Sequence, residues 1–279
     1  MNKILEASKE KYKYRRRIKL LLLIGLILII FVATTGLIIN SSVLQIKHFE
    51  FSGNSQVSSA EIENYLYGIL LQSTFSRFLG FNNFLIWPNE LSSSSFKNLP
   101  IVEGITFSKD YFSHTLSASV LERQPFGIWC QNNQVSLTSI STSTPSYNSN
   151  LSSCYWFDEN GVMFKPALAS QGNLILVVSD YSGRGLVYGD KIVPDKFISN
   201  LFSIFEVLQS AKLNVKEIDL NNLDSEEIDV YLNNGPELMF SLRFDDSSDL
   251  SVIDYFINKQ KLNQLQYIDF RSQNRALYR

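Results

Sequence analysis

Ser94-Ser95-Phe96-Lys97 fits the S-x-x-K spacing, in which a serine hydroxyl attacks a carbonyl with a lysine one helical turn away. The companion K-T-G is missing from the chain, and Ser8 to Lys11 fits the same spacing, so Ser-rich composition accounts for the match. Paired carboxylates occur at Glu226-Glu227 and Asp245-Asp246, as acid/base or metal chemistry would need. Both pairs fall at predicted strand edges or turns, where solvated charge is the ordinary reading. Gly183-Arg184-Gly185 reads as a turn rather than an anion site. His48 and His114, the two histidines of the chain, are placed in different strand neighbourhoods. There is no G-x-S-x-G, H-E-x-x-H or Gly-rich phosphate loop. Neither an enzymatic activity nor a cofactor or metal is expected.

Cys130 and Cys154 carry the remaining reactive side chains. Between them lies a stretch, 131–153, dominated by Ser, Thr and Asn, which lacks the apolar periodicity needed to bury itself and reads as a surface loop. The flanks, PFGIWC and CYWFDENGVMF, are strand-like. A disulfide at the neck of the loop is the expected arrangement in an oxidising compartment, with two buried thiols as the alternative.

The compartment follows from the N-terminus. Residues 20–39 form an unbroken apolar run, and twenty residues at helical rise match the hydrocarbon core of a bilayer. Residues 1–19 hold eight Lys and Arg against Glu6 and Glu10, with Arg15, Arg16, Arg17 and Lys19 abutting the run. The expectation is therefore a cytoplasmic tail, a single transmembrane helix and an external remainder. A cleaved signal peptide fits less well, because the run is too long and no small-x-small site follows it. The rest of the chain has 17 basic and 25 acidic residues, which argues against a nucleic-acid partner.

About 240 residues remain outside, enough for two domains. In the first, 43–123, Val43 to Phe51 reads as a strand ending at Gly53-Asn54. A helix follows, with Ser58 and Glu61 as a capping box and Ile62, Tyr65, Leu66, Ile69 and Leu70 on one face. Phe75 to Trp87 is an irregular aromatic stretch, assigned to core packing with membrane or partner contact as the alternative. Pro88 to Asn98 is expected to form a second short helix. Ile101 to Phe107 and Thr115 to Leu121 then pair as strands around a turn at Lys109 to Ser113. The predicted order is strand, helix, helix, strand, strand, with both helices on one face of a three-stranded sheet.

The second domain, 124–279, reads as mainly antiparallel. Strands are expected at Tyr155 to Asp158, Val162 to Lys165, Leu174 to Ser179, Val215 to Leu220, Ile228 to Leu232, Leu238 to Leu242 and Gln266 to Phe270, with a last one at Ser272 to Tyr278. Helices are expected at Asp195 to Lys212, with Ile198, Leu201, Phe202, Phe205 and Leu208 inward, and at Asp249 to Leu262, with Leu250, Ile253 and Ile257 inward. The class is α+β.

In this order, the segments Phe49-Glu50-Phe51-Ser52-Gly53-Asn54 with Val57-Ser58, Leu99-Pro100-Ile101-Val102, Leu121-Glu122-Arg123-Gln124-Pro125, Phe157 to Phe164 and Tyr267-Ile268-Asp269-Phe270-Arg271 resemble the FtsQ/DivIB cell-division family. The resemblance implies a POTRA domain over 43–123 and an FtsQ-type β domain over 124–279. It implies a divisome scaffold at the septum of the plasma membrane, N-terminus inside, that binds FtsB/DivIC-like and FtsL-like coiled-coil proteins among other division proteins and helps regulate septal peptidoglycan synthesis. Partner binding would centre on Arg271, Ser272, Asn274, Ala276 and Tyr278. A terminal edge strand offers unpaired N–H and C=O groups to an extended segment, and an arginine beside it can pair with an acid; an ordinary or frayed edge is the plainer reading. The Cys-bracketed insertion and the ending at Arg279 depart from the family pattern. A POTRA-bearing receptor or secretion accessory is the alternative function.

Overall fold

The computed structural model describes residues 2–39, 41–132, 153–168 and 175–279. The chain is a mixed α/β protein that divides into two compact units, Met1–Leu91 with Ile105–Val120, and Ser92–Gly104 with Leu121–Arg279.

The first unit opens with α1 (Asn2–Ile39). Its segment Lys19–Leu37 has a mean hydropathy of 2.8 and no buried residue, so it is long and apolar enough to cross a membrane. Thr34 and Thr35 do not interrupt it, because both hydroxyls donate back to the Phe31 carbonyl at 3.0 and 2.7 Å. After a 3₁₀ turn at Ser42–Leu44 come β1 (His48–Ser52), α2 (Ser59–Leu70), α3 (Thr74–Leu79), β2 (Glu90–Leu91), β3 (Val102–Asp110) and β4 (Thr115–Glu122). The sheet runs β1-β4-β3-β2, with β1 parallel to β4. Ser58 caps α2 as its sequence predicts, its hydroxyl accepting the Glu61 N–H at 3.2 Å. Ile62 and Leu66, one turn apart, are wholly buried. Gly53 allows β1 to close onto β4: it has φ +80°, and a Cβ there would collide with the Val120 carbonyl.

Several expectations for residues 43–123 are corrected. The first strand starts at His48, since Gln45 and Ile46 bond instead to the 82–83 segment. The second helix is α3, inside the aromatic stretch, whereas 88–98 holds the short strand β2 and a 3₁₀ turn at Ser93–Phe96. The sheet therefore has four strands. The hairpin turn sits at 111–114, because Lys109 and Asp110 still belong to β3. His48 and His114 are neighbours, the His48 N–H donating to the His114 carbonyl at 3.2 Å, because β1 pairs in parallel with β4.

The second unit is a nine-stranded sheet in the order β13-β12-β11-β10-β9-β8-β5-β6-β7. Its strands are β5 (Gly127–Gln131), β6 (Ser153–Phe157), β7 (Met163–Ala167), β8 (Leu176–Asp180), β9 (Val215–Leu220), β10 (Glu227–Leu232), β11 (Glu237–Ser241), β12 (Tyr267–Ser272) and β13 (Arg275–Tyr278). The pairs β5/β8, β8/β9 and β11/β12 are parallel and the others antiparallel. Two of the three parallel pairs join consecutive strands, and each crossover is made by a helix: α4 (Asp195–Ser210) joins β8 to β9, and α5 (Leu250–Asn258) joins β11 to β12. Leu201, Ile204, Phe205 and Leu208 of α4 and Ile253 of α5 pack with Val178, Ile218, Val230, Leu238, Phe240 and Ile268 in one core on one face of the sheet.

Cys130 and Cys154 stand opposite each other on β5 and β6 and form a disulfide. The Ser/Thr stretch that they bracket lies outside the described residues over 133–152. The helix expected to reach Leu262 stops at Asn258, and Phe256, not Ile257, faces inward with Ile253. Asp246 is not a solvated turn residue either. It is fully buried, its N–H donating to Ser203 Oγ at 3.1 Å. Arg184, in the Gly-Arg-Gly turn, pairs with Asp180 at 2.7 Å and donates to the Ile192 carbonyl at 2.8 Å, fixing the loop after β8.

Candidate functional site

The C-terminal hairpin makes β13 the edge of the large sheet. Its two-residue turn is Gln273-Asn274, and Asn274 lies in the left-handed region at φ +59°. Asp269 stands opposite Leu277 and Ser272 opposite Arg275, so Phe270 and Arg271 together face Ala276: β12 carries a bulge. The Arg279 N–H donates inward to the Tyr267 carbonyl at 3.3 Å. Because N–H direction alternates along a strand, Leu277 also donates inward, whereas the N–H groups of Ala276 and Tyr278 point away from the sheet. Those two donors and the carbonyls beside them are what the edge offers to an added strand.

Side chains on the edge divide between two faces. Ala276 packs against the core, and the exposed ring of Tyr278 makes an edge contact with Phe256 of α5, centroids 5.0 Å apart. Leu277, 59% exposed, points to the opposite face. Ser272 is exposed and belongs to β12, not to the last strand.

Arg271 is engaged within the chain. Its Nε and Nη2 donate to the two oxygens of Asp269 at 2.9 and 2.7 Å, and Nη1 donates to Glu227 at 3.0 Å. The Arg271 backbone N–H also donates to Asp269, at 3.0 Å. This bidentate contact holds the Asp269 carboxyl below the usual carboxylate range, with the hydrogen bond from Arg271 as the main cause. The same bond raises the guanidinium pKa further. The fork of Arg271 thus braces β12 against β10, a role that the order Tyr-Ile-Asp-Phe-Arg carries in its i,i+2 Asp and Arg.

The outer face of the sheet, away from α4 and α5, carries an acidic field that reading the chain segment by segment misses. Asp229 stands between Asp219 and Met239, Tyr231 between Glu217 and Glu237, and Met239 beside Asp269. Among the described residues, Glu217, Asp219, Asp229 and Glu237 have no basic side chain within ion-pairing distance. Asp219 is buried with Oδ1 unbonded, and its pKa is pushed up to about 7, by burial first and then by the charges of Glu217 and Asp229. Asp229 is raised too, mainly by burial, against a hydrogen bond from Asn221 at 2.9 Å. Tyr231 is pushed up to about 12 by burial and by Glu237.

Glu226 caps a 3₁₀ turn at φ +56° and pairs with Lys196 and Arg243, while Glu227 takes Arg271. Lys97 follows the 3₁₀ turn of Ser94, with Phe96 buried between them. Among the described residues no three acidic, histidine or cysteine side chains gather into a metal-binding set. No protein-family model matches the chain, and no curated protein is significantly similar to it.

Proposed function

We propose that this protein is a single-pass scaffold of the bacterial divisome, of the FtsQ/DivIB type, with its N-terminus in the cytoplasm and residues 43–279 outside at the septum. Residues 43–123 would be the POTRA domain and residues 124–279 the FtsQ-type β domain. One observation carries this reading: β13 is an open edge whose Ala276 and Tyr278 N–H groups face away from the sheet. An extended segment of an FtsB/DivIC-like coiled-coil protein, with its FtsL-like companion, would add there as a tenth strand through main-chain hydrogen bonds. The order of elements behind one apolar helix with a basic flank supports the same assignment. Arg271 contributes by bracing the strand next to the edge, not by reaching the partner.

The test is co-purification of the full-length chain from its native membrane. A small bitopic coiled-coil protein should accompany the parent chain and be depleted about tenfold by Ala276→Pro, which removes one outward donor. Equal recovery with the variant, folded as judged by circular dichroism, would place the interface elsewhere.

A further inference from the structure

The end of α1 does not stand apart from the first unit. Asn83 Nδ2 donates to the carbonyl of Ile39, the last residue of the helix, at 3.0 Å, and Asn83 Oδ1 accepts the Leu85 N–H at 2.9 Å. Gln45 bridges to Asn83, its carbonyl also meets His114 Nδ1 at 3.1 Å, and the Lys47 N–H donates to the His114 carbonyl at 2.8 Å. These bonds draw the 82–85 segment and the β3–β4 turn to the place where the helix stops. Ile39 is two residues, about 3 Å of helical rise, beyond the apolar span ending at Leu37.

The turn, the 82–85 segment and the helix α3 that precedes it carry uncovered apolar side chains. Phe112, at the tip of the turn, is 99% exposed, and Phe78 on α3 is 81% exposed; Phe75, Leu85 and Tyr111 are exposed too. A turn tip normally carries Gly, Asn, Asp or Ser. Here the polar requirement is met inside the turn, since Asp110 Oδ1 accepts the N–H groups of Phe112 and Ser113 at 2.9 and 3.2 Å, and the Phe112 ring is left to project. Phe75 and Phe78 are three residues apart, on one face of α3, which ends at Gly80 just before the Asn83 anchor. Tyr111 continues the patch from the buried ring of Phe84, 4.9 Å away. The aromatic stretch is thus divided: Phe84 and Trp87 fill the core, and Phe75 and Phe78 face outward.

We infer that Phe75, Phe78, Leu85, Tyr111 and Phe112 form a second membrane contact, seated in the headgroup region of the same bilayer that α1 spans. The occupant is lipid because the apolar helix fixes a bilayer surface at the level where Asn83 holds Ile39, and aromatic side chains favour that interface. The contact would fix the orientation of the first unit to the membrane instead of leaving it on a swivel. It rests on α1 crossing the bilayer, and does not depend on the division assignment.

The probe is a vesicle of phosphatidylcholine brominated on its acyl chains close to the headgroup, with the full-length chain reconstituted and emission read as the difference from the parent chain. Phe31→Trp, within α1, reports whether the helix is in the bilayer. Phe112→Trp and Phe78→Trp, each at a site with nothing packed over it, report the patch. The expected result is loss of the added emission and a blue shift in all three. Quenching of Phe31→Trp alone, with the other two open to aqueous iodide, would overturn the contact while leaving the helix assignment standing. Failure of Phe31→Trp to quench would remove both. Shielding of the patch from iodide without bromine quenching, increasing with the protein-to-lipid ratio, would mean that a second copy covers it and would also overturn the proposal.

Discussion

Asp219 on β9 stands directly opposite Asp229 on β10, so two carboxyl groups share one spot on the outer face of the large sheet. Asp219 titrates near 7 in the folded chain, against about 4 when unfolded. Folding therefore takes up a proton between those values, and stability, full below about pH 4, declines as the pH rises through 7. The buried Asp246, raised chiefly by burial and next by the charge of Asp249, adds to the same slope. Asp219→Asn should leave stability near pH 4.5 almost unchanged and raise it at pH 8 by on the order of 1–3 kcal/mol. Urea titrations at the two pH values check this; equal effects at both would mean that Asp219 is ionised throughout.

Arg123 is buried, pairs with Asp158 and donates from Nε to the Pro100 carbonyl at 2.9 Å, while the other Asp158 oxygen accepts the N–H groups of Asn160 and Val162 at 3.0 and 2.8 Å. The Asp-Glu-Asn-Gly turn is therefore assembled on a carboxylate whose charge, among the described residues, Arg123 alone offsets by an ion pair. Arg123→Met should cost about 3–5 kcal/mol, because it leaves that charge buried and uncompensated. Asp158→Asn should cost a comparable amount: the amide oxygen can still accept from the turn, but the buried guanidinium loses its counter-charge and cannot shed its proton. Denaturant midpoints of the two variants check this; a loss under about 1 kcal/mol for either would mean that water replaces the missing partner.

The cross-strand bridge Cys130–Cys154 closes the loop that leaves β5 and returns in β6. Denatured, non-reduced protein isolated from the membrane should contain no thiol that reacts with maleimide. Replacing both cysteines by serine should lower stability by about 3 kcal/mol, the loop-closure entropy of a segment of this length. Two labelled thiols in the native preparation would place the cysteines in a reducing compartment and contradict an external second unit.

Local pattern made much of this architecture readable. The hydroxyl of Ser58 and the spacing of Ile62 and Leu66 specify α2, and the stripe through Leu201, Phe205 and Leu208 specifies α4, because each signal lies within a few residues. The strands from Val215 onward are marked by alternation and by turns such as Asn233-Asn234-Gly235. What escaped depends on register. Asp219 and Asp229 meet through β9/β10, and Asp269 joins their row only through β11, so no local window contains the acidic face. Arg271 reads as free for the same reason: Glu227, its second acid, is 44 residues away in the chain, and the sheet brings it within reach across β11. On α5, Ile257 and Phe256 differ by one residue, which on a helix is about 100° of rotation, and Phe256 is the one that shares the inner face with Ile253.

The edge itself is best tested with two prolines. At Ala276, the lost N–H points away from the sheet, so β13 keeps its inward bonds through Leu277 and Arg279, and the chain should stay folded while partner capture falls. At Asn274 the backbone sits at φ +59°, which a proline ring locked near −65° cannot adopt. Asn274→Pro should therefore open the turn and detach β13, with loss of the Tyr278 contact to Phe256. The two variants should weaken partner capture alike but differ in the near-ultraviolet circular dichroism of Tyr278, unchanged for Ala276→Pro and reduced for Asn274→Pro. Arg271→Glu should resemble the second, because a carboxylate placed beside Asp269 and Glu227 repels the groups that now hold β12 to β10. Should Arg271→Glu instead leave the fold and the Tyr278 signal intact while abolishing capture, the arginine would have to reach the partner directly, and the bracing role assigned to it would be wrong.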